Sequence, residues 1–428
     1  MKRLFLIFML IVASAGDGFA LQTASSSTTA AARTYEFTNG QWFDGHTFRR
    51  RVFYSVGGVF TEKRPRTVDE VIDLKGGYVV PPFADAHNHY ISGPFNIDKI
   101  LLQYLKDGIF YAKNPSSIAR DTNRIKDKIN GPNRIDVVFS NGPIAASGGH
   151  PVVLYEKHLS KVKKPGPDGT FENLGYFIIN NESDLQKKWP MIMADHPDFI
   201  KTNLLYSEEY EKRRDDPAYD GIKGQNPRLL PLIVARAHES HLRVSCHIET
   251  ATDFRNALAA GVDEINHMPG YYPEFVRARA EWFLITEQDA ALAARKGVVV
   301  VTTTYVSTAE IKKPEDLKKA QEIQAQNLRL LHKAGVKIAI GPDMHGATSL
   351  EEAMNLYNLK VFDNLTLLKM WCETTAGTIF PNRKIGQLKE GYEASFLVLG
   401  GNPIDNFESV KDIRVRFKQG NFLSLDGK

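Results

Sequence analysis

The chain is short of several things, and each shortage excludes a class of protein. Its 428 residues hold two cysteines, Cys246 and Cys372. Disulfides are therefore not what holds a chain of this size together, and both thiols read as buried structural groups. The formal net charge is only +4. Basic clusters such as "FRRR" (48–51) and "EKRR" (211–214) are short and read as solvated surface. No basic run is interleaved with aromatics, so no nucleic-acid partner is expected. No G-x-G-x-x-G follows any strand-like segment, which leaves a nucleotide-binding doubly wound sheet with little support. No apolar run is long enough to cross a bilayer, which takes about 20 residues, and no membrane span is expected.

The apolar stretch at the start, Leu4 to Val12, follows Lys2 and Arg3 and precedes small residues at Ala13-Ser14-Ala15 and Gly18-Phe19-Ala20. That order is the pattern of a secretory signal. Residues 1–20 are assigned as a signal peptide and 21–33 as a disordered spacer, and the protein is expected to be exported, periplasmic or secreted.

Hydrophobic residues make up 43% of the chain, enough for a substantial core. Eight strand-then-helix units can be counted in the middle, with strands at 83–90, 108–113, 134–140, 197–204, 242–249, 262–268, 298–305 and 336–343. Helical patterns such as "NIDKILLQYLKDG" and "PEDLKKAQEIQAQNLRLLHKAG" lie between them. This alternation predicts an α/β fold, a (β/α)8 TIM barrel over 81–385. Alternating apolar segments at both ends, 34–80 and 386–426, predict a small β-sandwich domain formed by the N- and C-terminal segments. The polar loop 205–226 reads as a substrate lid.

Barrel enzymes carry their reacting groups at the C-terminal ends of the strands. Strand alternation puts Asp85, His87 and His89 of "FADAHNHY" on one face. Lys201 lies in the fourth strand, His247 in the fifth, His267 in the sixth and Asp343 in the eighth. Imidazoles and a carboxylate gathered at such ends point to zinc, iron or manganese rather than to calcium or magnesium. Asp85 is a candidate for orienting an imidazole by accepting its N–H.

The stretches "DAHNH", "FIK", "HIETATDFRNALAAGVDEINH", "GPD" and "IGQLKEGYEASFLVLGGNPIDN" resemble the amidohydrolase superfamily. The similarity is to its imidazolonepropionase-like and Xaa-Pro dipeptidase-like enzymes, and it runs from about Tyr35 to Leu423. The resemblance implies two divalent metal ions, expected to be zinc. His87, His89, Lys201 and Asp343 would serve the first, and Lys201, His247 and His267 the second. A lysine ammonium has no lone pair, so Lys201 would be N-carboxylated to bridge both ions. The implied reaction is hydrolysis of an amide, cyclic amide or dipeptide C–N bond by a metal-bridged hydroxide, with Asp343 as the acid–base group.

His150, in "ASGGHP", and Tyr206 are the expected substrate contacts. His345 departs from the small residue expected there. An ester, lactone or phosphotriester hydrolase on the same site is the alternative, and a non-catalytic metal-binding barrel a more distant one. A deaminase is disfavoured because Thr250 stands where the shuttle glutamate would, with Glu249 one position short. A small-molecule substrate and a homo-oligomer are expected.

Overall fold

A computed structural model describes residues 33–271 and 279–425. The signal expectation, and all of the spacer but Arg33, thus fall outside the described residues. Strands β1 (Tyr35–Phe43), β2 (Phe48–Val56), β3 (Val59–Thr61), β4 (Glu70–Asp73) and β5 (Tyr78–Val80) come from the N-terminal segment. β6 (Phe83–Asp85), β7 (Ile109–Asn114), β8 (Asp136–Phe139), β9 (Ile144–Ala145) and β10 (Phe177–Ile178) follow. Next come β11 (Ile200–Asn203), β12 (Val244–His247), β13 (Glu264–Asn266), β14 (Val299–Val301) and β15 (Lys337–Ala339). The chain closes with β16 (Phe396–Leu399), β17 (Ile413–Lys418) and β18 (Asn421–Phe422).

The two ends of the chain share one mixed sheet, in the order β18-β17-β16-β5-β1-β2-β3, with β4 also on β1. The expected small β-sandwich takes the form of one sheet that curls over on itself. The edge strand β3 comes back against the segment that leads into β16, where Val59 bridges Glu393 and the Ala394 N–H donates to the Gly58 carbonyl at 2.7 Å. The cause is a register shift in β1 between Phe37 and Gly40, which lets β1 pair first with β4 and then with β5. Only glycine fits at position 40, since a Cβ would lie 2.7 Å from the Trp42 indole nitrogen. Inside the curl Phe37, Trp42, Phe53, Phe60, Phe396 and Phe417 are all buried, with ring centroids as close as 4.6 Å for Trp42 and Phe53.

Eight parallel strands lie between these ends, as β6-β7-β8 and β11-β12-β13-β14-β15. Seven fall inside the windows read from the sequence, and β7 overruns its window, 108–113, by one residue. Hydrogen bonds join the two sheets at both edges. The Ala86 N–H donates to Ile340 O at 2.9 Å on one side, and the Asp198 N–H to Phe139 O at 2.8 Å on the other. The architecture is mixed α/β and consistent with a barrel.

The strands are shorter than their apolar runs. β6 stops at Asp85 because that carboxylate accepts the His87 N–H at 3.1 Å and turns the chain. His87 and His89 therefore sit in the loop beyond the strand, not on its face. An inserted lobe at 144–180 follows β8, built on the β9–β10 pair and a small core of Val152, Tyr155, Phe171 and Tyr176. The loop 205–226 is folded, with Arg213 buried in it. The Arg213 guanidinium pairs with Glu209 Oε2 at 2.7 Å and lies over the Tyr206 and Tyr219 rings. His238 and His241 are exposed and do not face the strands.

Candidate metal centre

The residues singled out from the sequence converge on one carboxylate. His89 Nε2 lies 2.9 Å and His87 Nε2 3.2 Å from Asp343 Oδ1, and His267 Nδ1 lies 3.6 Å from Asp343 Oδ2. His247 joins through its ring, 4.3 Å from that of His267. Backbone geometry draws the first and last strands together here. The Asp343 N–H donates to the His87 carbonyl at 3.0 Å. Gly341 allows that approach, since a Cβ on it would meet the His87 nitrogen at 2.4 Å. Tyr206, His267, Thr303 and Asp343, each just beyond a strand end, take φ between 51° and 75°. Left-handed backbone at non-glycine residues is strained, and such strain concentrates at functional sites.

Lys201 is buried, but its Nζ donates to Asn266 Oδ1 at 2.6 Å rather than meeting a histidine or Asp343 directly. Burial pushes its amine down to about 8, against the pull of Asp343. Beneath it Asn266 donates to Glu264 at 2.8 Å, and Lys113 Nζ reaches the same carboxylate at 2.7 Å. Burial opposes the charge of Glu264, yet Lys113 and Arg243 hold its carboxyl down at about 2.

His150 comes from the inserted lobe. Its ring stacks on His247 at 4.6 Å between centroids, and burial followed by the Lys201 charge pushes it down to about 4. Tyr206 is buried with Leu205, Phe283 and Ile323, under the Arg213 guanidinium at 3.9 Å. His345 is exposed at the mouth, its ring 6.1 Å from that of His89. Asp85 does not meet an imidazole nitrogen. Fully buried, it takes the His87 backbone N–H and the Tyr104 hydroxyl at 3.0 Å.

Four neighbours were not singled out for this site from the sequence. Glu249 Oε1 lies 3.2 Å from His247 Nε2, and Tyr271 stacks on His267 at 4.1 Å. Thr303 Oγ1 lies 2.8 Å from His267 Nδ1, and Asn266 holds Lys201. Glu249, two residues after His247 in "CHIE", carried a visible signal, a carboxylate beside an imidazole.

The donor set fits a metal. Burial holds His87 at about 4 and keeps His247 and His267 well below the usual imidazole range, so all three are neutral at pH 7 with lone pairs to give. Burial resists ionisation of Asp343, but the surrounding imidazoles keep its carboxyl well below the usual carboxylate range. The ligand atoms of His87, His267 and Asp343 lie within 4.8 Å of one another. His87 Nδ1 is a buried polar atom with no hydrogen-bond partner among the described residues.

Fold and site together describe an α/β protein with a histidine–carboxylate centre at the ends of parallel strands. Residues 224–423 match the amidohydrolase family, and the amidohydrolase resemblance read from the sequence is borne out. The ochratoxinase of Aspergillus niger is 28% identical over 227 residues, covering 50% of this chain and 44% of that protein. The match thus spans less than half the length of this curated relative.

Solved structures give the fold. The A. niger ochratoxinase superposes with a TM-score of 0.70 at 18% identity, over 91% of this chain and 95% of that one. A Xaa-Pro dipeptidase with methionine bound in its active site gives 0.70 at 18%, over 91% and 100%. A prolidase complexed with N-methylphosphonate-L-proline gives 0.69 at 18%, over 91% and 99%.

Proposed function

We propose that the protein is an exported, binuclear metal-dependent hydrolase of C–N bonds, acting on an amide, cyclic amide or dipeptide. In this reading residues 81–385 form a closed (β/α)8 barrel, and 34–80 with 386–426 form the terminal β-domain. The observation that carries it is the meeting of His87, His89 and His267 on the Asp343 carboxylate, beyond the C-terminal ends of parallel strands. Export is supported by the Lys2-Arg3 start and the Leu4–Val12 run alone.

His87, His89, Lys201 and Asp343 would hold one divalent ion, and Lys201, His247 and His267 the other. Zinc suits this nitrogen and oxygen set. When bound, such ions supply an activated water and polarise the substrate carbonyl. The rest falls to the chain. With its amine at about 8, Lys201 has a neutral fraction near pH 7 that can add carbon dioxide and release a proton. The carbamate so formed would be the carboxylate with which Lys201 could hold a divalent ion. Asp343, ionised in the free site, accepts the proton of the attacking water and returns it to the departing nitrogen. His150, neutral and stacked on His247, is placed to donate a hydrogen bond to the developing oxyanion. Of the two expected substrate contacts it is the better supported, since the Tyr206 ring is engaged by Arg213.

Elemental analysis and a turnover panel test this reading. The purified protein should hold divalent metal and hydrolyse members of a set of N-acyl amino acids, dipeptides and cyclic amides, with lactones and esters as comparison. Chelation should abolish turnover, and His247→Ala should abolish it with an unchanged circular dichroism spectrum. A metal-free protein that zinc does not activate would overturn the proposal.

A further inference from the structure

Lys201, Ser245 and Glu264 stand level on three neighbouring strands, paired in register across β11, β12 and β13. A buried lysine level with a buried glutamate is expected to pair with it, since charges are buried in pairs. Here it does not. Glu264 Oε1 already takes Lys113 Nζ at 2.7 Å and the Ser245 hydroxyl at 2.9 Å. Lys201 Nζ turns instead to Asn266 Oδ1 at 2.6 Å, and Asn266 lies two residues beyond Glu264 on the same face of β13. Among the described residues no carboxylate lies within ion-pair distance of Lys201 Nζ.

The neighbours fix which way Asn266 faces. Burial opposes the charge of Glu264, but Lys113 and Arg243 keep it ionised, and an ionised carboxylate only accepts. The amide nitrogen of Asn266 must therefore face Glu264, at 2.8 Å. Only the amide oxygen is left for Lys201. Asn266 is wholly buried, and its strand is paired on both sides, so this orientation is held.

A neutral acceptor at that place suits one form of the lysine. Carboxylation joins the amine lone pair to the carbon of carbon dioxide, moves a C=O electron pair onto oxygen and releases one N–H proton to water. The carbamate nitrogen is planar and keeps a single N–H. Once that N–H points to Asn266 Oδ1, the plane leaves the carboxylate one direction, away from Asn266. An aspartate at this position would instead hold Lys201 as an ammonium.

We propose that Asn266 is a positioning residue, whose amide oxygen holds the one N–H of the Lys201 carbamate and so sets the direction of its carboxylate. The proposal rests on the N-carboxylation of Lys201 in the hydrolase reading, and its test separates the two.

NMR of the zinc-supplied protein, titrated with carbon-labelled bicarbonate, reads the carbamate carbon directly. In the parent chain the signal should saturate. Asn266→Leu, similar in size but without an acceptor, should need about tenfold more bicarbonate for the same signal, the loss of one hydrogen bond. Excess bicarbonate should then restore both its zinc content and its turnover, which a collapsed site would not allow. Asn266→Asp should show no carbamate at any bicarbonate concentration. Ser245→Ala removes a donor from the same Glu264 oxygen without touching Lys201, and it should behave as the parent chain does.

A bicarbonate dependence of Asn266→Leu equal to the parent's would overturn the inference. So would an equal loss in Ser245→Ala, or a parental carbamate signal in Asn266→Asp. Should circular dichroism show Asn266→Leu unfolded, the smaller Asn266→Ser reads the same loss. A parent chain with no carbamate signal at any bicarbonate concentration would instead overturn the N-carboxylation of Lys201, and the role of Asn266 with it.

Discussion

Two interiors of this protein are built on opposite principles. The curled terminal sheet closes on a core rich in rings, with Phe37 against Phe396 at 4.9 Å and Phe396 against Phe417 at 5.0 Å. The parallel strands enclose charge, from Lys113 through Glu264 and Asn266 to Lys201. Burying ions costs several kcal/mol each even when they are paired, whereas burying rings is favourable wherever they fit. The contrast shows where the molecule spends stability on chemistry: the polar column ends at Lys201, beneath the histidine cluster.

Substitutions that act on one interior and spare the other sharpen this division. The largest effect belongs to the site. Asp343→Asn should cost about 10²–10⁴-fold in kcat, the range of a general acid–base group, with the melting temperature little changed, as steady-state kinetics and calorimetry would check.

In the aromatic core the reverse is expected. Phe396→Ala should cost about 3–5 kcal/mol of unfolding free energy and leave KM unchanged, measured by urea denaturation beside kinetics. A fall in kcat without loss of stability there would break the comparison.

In the polar column, Glu264→Leu leaves Lys113 buried and unpaired and should cost about 3–5 kcal/mol. Adding Lys113→Met should recover most of that stability, because the ion that needed a partner is gone.

The smallest effect is in pH. Glu264 is held at about 2 in the folded chain against 4.5 for an ordinary glutamate. Its contribution is therefore complete above about pH 4.5 and fades as the pH falls toward 2. The melting temperature of the parent chain should drop more steeply over that range than that of the Lys113→Met/Glu264→Leu variant.

What could be read without a structure followed from how local each cause was. Apolar runs alternating with helical patterns marked the eight parallel strands, and imidazoles in or beside such runs marked the cluster. Strand ends were not legible, because they depend on single contacts such as Asp85 turning the chain onto the His87 N–H. The same contact explains why Asp85 serves a backbone amide and not an imidazole. Arg213 reads as solvated among charged neighbours, yet the Tyr206 and Tyr219 rings cover it. The lobe at 144–180 escaped notice because its paired strands are two residues each and lie more than thirty apart. The curl of the terminal sheet was not legible because it depends on one shifted register in β1.

The amide of Asp343 rests on the carbonyl of His87, so the cluster is sealed by the chain's first and last parallel strands. A polypeptide emerging from synthesis holds His87 early and lacks its partner almost to the end. Truncated or half-folded forms therefore cannot bring His87 and Asp343 together.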